Sequence, residues 1–249
     1  MAGETLIKIR QGRIDKANKL KELGIDPYPS KTSKNISNAE IVENYEVNKG
    51  KTYTVAGRVM SWREHGGIVF GHIQDQSGKI QLYIKLDELK ETSKEDQTIG
   101  SENFDLLDVG DIVEAEGEVT KTKRGEVSIL VSKFRILAKS IRPLPDKWEG
   151  LKDKEALFRQ RYLDTILNPD KLKPFENTAK IEFAIREFLN KKGFLEIKTP
   201  IIQPIYGGTN AKAFKTQVNA LGVDYYLAVA HELYLKKLIT GGFENVYNI

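Results

Sequence analysis

The chain has 249 residues, enough for two ordinary domains, and a 40% hydrophobic share gives each of them material for a packed core. It has no cysteine, which excludes disulfides and thiolate metal sites, and its three histidines (His65, His72 and His231) are too scattered to make a structural zinc site, so no metal is expected. The net charge of +4 permits a polyanionic partner without requiring one, and no apolar run approaches the ~18 residues of a membrane span, so the sequence reads as a cytoplasmic protein with no membrane attachment.

A basic helix is predicted from about Leu6 to Leu23, with Ile14, Ala17, Leu20 and Leu23 on one stripe, and Gly24 stops it. The prolines at 27 and 29 forbid continuation, and a second short helix starts at Ser37, where Ser37 and Glu40 have capping-box spacing. From Lys51 to Lys139 the pattern turns to short strands: Tyr53 to Ser61, Ile68 to Asp75, Lys79 to Lys85, Asp111 to Thr120 and Val127 to Leu137. A helical insertion is expected from Leu86 to about Leu107, between the third and fourth strands, where the five-stranded oligonucleotide-binding barrel places its helix.

The proline-rich stretch Ile141 to Lys147 reads as a linker. It is followed by a charged helical stretch from Asp153 to Leu167 and an amphipathic helix from about Pro174 to Lys192, whose apolar face is Ile181, Ala184, Ile185, Phe188 and Leu189. Gly193 ends that helix, and Phe194 to Thr199 reads as a strand stopped by Pro200. The expected organisation is α+β: helices over 1–50, a barrel over 51–140, a linker over 141–173 and a second domain over 174–249.

Period-two alternation puts Lys79, Gln81, Tyr83 and Lys85 on one face of the third strand, and Ile68, Phe70 and His72 on one face of the second. The turn at Ser77-Gly78 sets these strands side by side, bringing an aromatic and an amide onto one surface, with Arg63 just before the Gly66-Gly67 turn. Such a surface suits an unpaired base, stacked on the ring and read by the amide, with a cation for phosphate. The alternative is a core Phe70 beside a solvated Gln81. Lys121, Lys123 and Arg124 add positive charge to the next hairpin.

Gly57-Arg58-Val59 through Arg63, Ile68-Val69-Phe70 and Gly78-Lys79-Ile80-Gln81 resemble the anticodon-binding barrel of the lysine, aspartate and asparagine tRNA ligases. That resemblance implies that Phe70 and Gln81 stack on and hydrogen-bond the central anticodon uridine, assisted by Arg63. Lys123 to Ile129 is similar to the lysine branch, which implies a place in the same pocket for Glu126, and Arg142 to Lys147 with Arg159 to Asp164 resembles the lysine enzymes specifically. The helix, the Phe194 to Thr199 strand and Pro200 resemble class II motif 1, which implies a homodimer.

Gly207-Gly208-Thr209 and His231 to Lys236 resemble the segments that hold the α-amino group of lysine, Gly208 through its carbonyl and Glu232 through its carboxylate. By its residue type alone Glu232 equally suits a helix-start charge. Ala228 and His231 depart from the family pattern, which has arginine and proline there. The implied reaction is ATP-dependent activation of lysine to lysyl-adenylate and its transfer to tRNA(Lys), with Mg2+. The catalytic arginines of motifs 2 and 3 are expected beyond Ile249, so no catalytic residue is assigned in this chain and the chain alone is expected to be inactive. An aspartate or asparagine ligase, and a non-catalytic tRNA-binding module, are the alternatives.

Overall fold

The computed structural model describes residues 2–145 and 154–249. The Asp146-Lys147 end of the expected linker and the Asp153 start of the charged helical stretch lie outside them. Five strands, β1 (Thr52–His65), β2 (Ile68–Gln74), β3 (Lys79–Lys85), β4 (Ile112–Lys121) and β5 (Val127–Ala138), close into a barrel in the order β1-β2-β3-β5-β4. Neighbours run antiparallel except β3 and β5, which are parallel. The alternation in β2 and β3 sends Val69, Ile73, Ile80, Leu82 and Ile84 inward, where they are buried with Val55, Val59, Val113 and Phe134.

One irregularity decides what the barrel presents outside. In the β1–β2 ladder the register shifts between Val59 and Ser61, so Met60 is an extra residue. Before it, Val55 and Val59 point into the core; after it, Trp62 does, packing edge-on against Phe104 at 5.4 Å and tilted against Phe134 at 6.0 Å. The bulge therefore turns Ser61 and Arg63 outward. Gly71 lies opposite Trp62 because the indole occupies the space of a side chain there: a Cβ on Gly71 would sit 2.0 Å from Trp62 Cζ3.

The expected helix between the third and fourth strands is a correction. Residues 86–107 form turns closed by a Ser93–Thr98 bridge, then one 3-10 segment, Ser101–Leu106. Gln97 takes a left-handed φ of 55°, and the Lys90 and Ile99 N–H groups donate to the Ser132 and Phe134 carbonyls of β5 instead of to carbonyls one turn back. Side chains then satisfy the loop backbone: Thr98 donates to the Glu91 carbonyl, and the Glu102 carboxylate accepts from the Thr92 N–H.

The helix α1 (Ala2–Glu22) buries Ala17 and Leu20, and Gly24 follows with φ 77°. Its Arg13 donates to the carbonyls of Val109 and Ser140, and its Lys16 pairs with Asp108 at 2.9 Å. The short α2 (Asn38–Glu43) is capped by Ser37, whose hydroxyl accepts from the Glu40 N–H, and α3 (Tyr45–Asn48) follows. Asp75 fastens α2 to the β2–β3 turn by accepting from the Asn38 N–H, the Gly78 N–H, Ser77 and the Lys34 ammonium.

For Asp75, burial alone would raise the carboxyl pKa, but Lys34, Ser77 and two backbone N–H groups outweigh it and hold it below the ordinary aspartate value. At Asp108 burial is likewise outweighed, by the Lys139 and Lys16 ammonium groups. A carboxyl depressed in the folded state stabilises above its unfolded pKa and ceases to do so as pH falls through the folded one. Urea midpoints are therefore expected to drop steeply below about pH 4, and less steeply in Asp108→Asn.

The chain divides into two compact units, Met1–Leu167 and Asn168–Ile249. The first includes α4 (Lys154–Arg159) and α5 (Arg161–Leu167), the expected charged helical stretch broken at Gln160. The second holds α6 (Lys173–Lys191), β6 (Leu195–Glu196), β7 (Ile202–Gln203), β8 (Lys215–Val218), β9 (Val223–Leu227), α7 (Glu232–Thr240) and β10 (Val246–Tyr247). The parallel pair β6–β10 and the sheet β7-β9-β8 form its scaffold. The predicted apolar face of α6 is present, but no residue of the helix is buried and Ile181, Ile185 and Phe188 are exposed. Among the described residues no helix is long and apolar enough to cross a membrane.

Candidate nucleic-acid interface

Directly opposed residues on neighbouring strands project to the same side of a sheet. Register therefore assembles two adjacent outward rows across the barrel: Ser61, His72, Gln81 and Ser128 in one, and Arg63, Phe70, Tyr83 and Leu130 in the other. The sequence-predicted Phe70 is half-buried, and its ring stacks on Tyr83 with centroids 5.1 Å apart and planes 8° from parallel. The pair makes a broad aromatic platform on the outer face. Arg63 is exposed opposite Phe70, and Lys85 Nζ lies 6.0 Å from the Tyr83 centroid, so cations border the platform on two strands.

The polar row is a continuous hydrogen-bond chain. Ser128 Oγ contacts Gln81 Oε1 at 2.7 Å, Gln81 Nε2 donates to Glu126 Oε2 at 2.6 Å, and His72 Nε2 meets Glu126 Oε1 at 2.7 Å. His72 Nδ1 in turn lies 3.2 Å from Ser61 Oγ. Gln81 is 8% exposed, and the low accessibility strengthens its bonds. The Glu126 side chain is 48% exposed, so its carboxylate faces both this chain and solvent. Glu126 leads out of a tight hairpin in which Gly125, at φ 84°, donates to the Thr122 carbonyl, and Thr122 donates back to the Glu126 carbonyl.

The structure thus gathers Arg63, Phe70, Gln81 and Glu126 from four segments onto one face. Neither half of the bland alternative holds, since Phe70 faces outward and Gln81 is a bonded, buried amide. The sequence alone assigns no role to Tyr83, Ser61, Ser128 or His72. The signal for Tyr83 was available, because it shares the face of Gln81 by alternation. Those for Ser61 and Ser128 were not, because they depend on a bulge and a non-local parallel pairing.

In the second unit Gly208 and Glu232 come together. Gly208 has φ 91°, and a Cβ there would lie 3.0 Å from Glu232 Cβ, so glycine permits the loop to approach the start of α7. Glu232 pairs with Lys236 one turn on, an exchangeable partner for a carboxylate that can also receive an ammonium. His231 has a structural occupation: its Nδ1 lies 2.5 Å from Thr199 Oγ1, tying the α7 start to the segment before Pro200. Pro200 is exposed, and its carbonyl accepts from the buried Gln203 amide at 2.9 Å. Ala228 donates its N–H to the Ile201 carbonyl at 2.7 Å, extending the β7–β9 pairing.

Residues 53–137 match the family model of the OB-fold nucleic acid binding domain, and residues 153–249 that of the class II tRNA synthetases for D, K and N. Among curated proteins the chain is 45% identical over 249 residues to a lysine–tRNA ligase of Carboxydothermus hydrogenoformans, covering 100% of this chain and 50% of the relative. It is 46% identical over 243 residues to that of Clostridium botulinum, covering 97% and 47%, and 44% identical over 250 residues to that of Thermoanaerobacter pseudethanolicus, covering 99% and 48%. The chain spans about half the length of the curated relatives it matches. An OB-type barrel thus leads into a class II synthetase segment, and the chain is similar along its whole length to about half of each of these lysine–tRNA ligases.

Proposed function

We propose that this chain carries the anticodon-reading barrel, the motif 1 helix and part of the amino-acid pocket of an enzyme that activates lysine with ATP and transfers it to tRNA(Lys). The observation that carries the reading is the outward pairing of the Phe70–Tyr83 platform with the Gln81–Glu126 amide and carboxylate. A base stacks on Phe70, its edge meets the Gln81 N–H and the Glu126 oxygen, and Arg63 neutralises a neighbouring phosphate. The resemblance makes that base the central anticodon uridine.

In the second unit Glu232 accepts hydrogen bonds from the lysine α-ammonium in exchange for Lys236, and the Gly208 carbonyl adds another. Lysine held there would present its carboxylate for in-line attack on the α-phosphate of ATP, a reaction governed by positioning and charge neutralisation. Mg2+ would accompany the ATP phosphates. Among the described residues no cluster of three or more His, Cys, Asp or Glu side chains could hold a metal, and the reading assigns the ion no ligand there. Pro200 and the exposed apolar face of α6 suit burial against a second copy, which makes the enzyme a homodimer, and we place its action in the cytoplasm.

The test is binding of the whole chain to an anticodon stem-loop of lysine tRNA, with Phe70→Ala and Phe70→Tyr alongside. Stacking on an aromatic is worth about 1–3 kcal/mol per base, so Phe70→Ala is expected to weaken binding about tenfold or more while Phe70→Tyr keeps most of it. Equal affinity of all three proteins would remove the platform from the account.

A further inference from the structure

We infer that His72 is a specificity-determining positioning residue: through Glu126 it fixes which way round the Gln81 amide faces the base. The inference rests on the base-reading proposal and adds a residue and a mechanism to it.

Hydrogen-bonding capacity sets the direction of every link. The ionised Glu126 carboxylate only accepts, so the Gln81 atom 2.6 Å from Oε2 is the amide nitrogen and the histidine nitrogen 2.7 Å from Oε1 carries a proton. In the neutral ring Nδ1 is then the acceptor, and the Ser61 hydroxyl donates to it. At the far end Ser128 Oγ donates to Gln81 Oε1. With its oxygen engaged at Ser128, Gln81 offers its second N–H to a ligand, and Glu126, with both oxygens engaged once, keeps lone pairs to accept.

A donor beside an acceptor complements uracil, which presents a carbonyl oxygen next to an N–H. Cytosine presents the reverse, an amino group next to a bare ring nitrogen. The discrimination thus depends on the Gln81 amide not turning over, and nothing in the amide's shape prevents that, since its oxygen and nitrogen are nearly isosteric. The barrier to turning over is the placement of the Glu126 carboxylate. Glu126 is half-exposed on a hairpin whose neighbours Lys123 and Arg124 are solvent-facing; Ser128 Oγ reaches its backbone carbonyl, and apart from Gln81 itself the strand side chain that bonds its carboxylate is His72. Ser61 holds the ring from behind, on the strand that the Met60 bulge has turned outward.

Removing the imidazole frees the carboxylate to swing toward solvent or the hairpin cations, and the Gln81 amide then presents either end. The predicted consequence is a loss of selectivity in preference to a loss of binding, because the Phe70–Tyr83 platform and the cations remain.

The whole chain is titrated with two anticodon stem-loops that differ only in uridine or cytidine at the read position. The proteins are wild type, His72→Ala, His72→Gln, which returns a donor to the position of Nε2, and Ser61→Ala. Circular dichroism checks that each is folded. Wild type is expected to prefer uridine, and His72→Ala to lose about tenfold of that preference, the size of one charge-assisted hydrogen bond. His72→Gln should regain most of it, and Ser61→Ala should fall between. A His72→Ala protein that discriminates as well as wild type overturns the inference and leaves the base reading standing. A wild type that shows no preference overturns both.

Discussion

Lys139→Met is expected to lower the unfolding free energy by about 3–5 kcal/mol, the cost of leaving a buried charge without its partner. The Lys139 ammonium is fully buried, 2.7 Å from the equally buried Asp111 carboxylate, and it also bonds Asp108 at 2.5 Å. Asp111 accepts from the backbone N–H groups of Asp108 and Ser140, so the cluster ties the end of β5 to the turn that opens β4. Lys16 extends the same cluster to α1 through Asp108. Methionine fills the volume of the lysine stem, so the loss is electrostatic. Urea unfolding followed by circular dichroism reads it, and adding Asp111→Asn to Lys139→Met should recover part of the stability because the orphaned charge is gone. An unchanged midpoint in Lys139→Met would mean that the cluster is solvated in solution.

Gly71→Ala is the second large effect. The new methyl would lie 2.0 Å from Cζ3 and 2.2 Å from Cε3 of Trp62, far inside van der Waals contact. The indole cannot move aside freely, because it is wedged against Phe104 and Phe134 in the barrel core. Overpacking of this kind costs about 3 kcal/mol, and the strain falls between Phe70 and His72, so RNA binding should weaken with stability. Trp62→Leu in the same protein vacates the space, and a double-mutant cycle is expected to show strong positive coupling. Additive losses at the two positions would contradict the packing argument.

The five strands were legible because period-two alternation survives wherever one face is buried, and Lys79 to Lys85 is the clearest case. The 86–107 segment misled because its lysines, glutamates and leucines favour helix locally. Its backbone instead bonds β5, the Lys90 and Ile99 N–H groups donating to the Ser132 and Phe134 carbonyls, and only these tertiary contacts reveal that. The Phe70 and Gln81 pairing was readable from two strands and a turn, whereas the bond from Gln81 to Glu126 joins residues 45 positions apart and had no local signature. His72 was noted on the right face but not for its chemistry, since a lone histidine on a strand carries no role until its neighbours are known. In the second unit the family motifs located Gly208 and Glu232. The left-handed φ of 91° at Gly208 gives the physical reason for glycine at that place.

On the proposed reading the barrel face recognises a base and is more than a cationic surface. The whole chain is titrated with lysine tRNA and with the same tRNA changed only at the central anticodon base, at about 50 mM and about 200 mM salt, where counterion release dominates non-specific binding. Both affinities should fall with salt, while the preference for the unaltered tRNA persists at both concentrations. Equal binding of the two RNAs with the same steep salt dependence would contradict the account and leave only a basic surface.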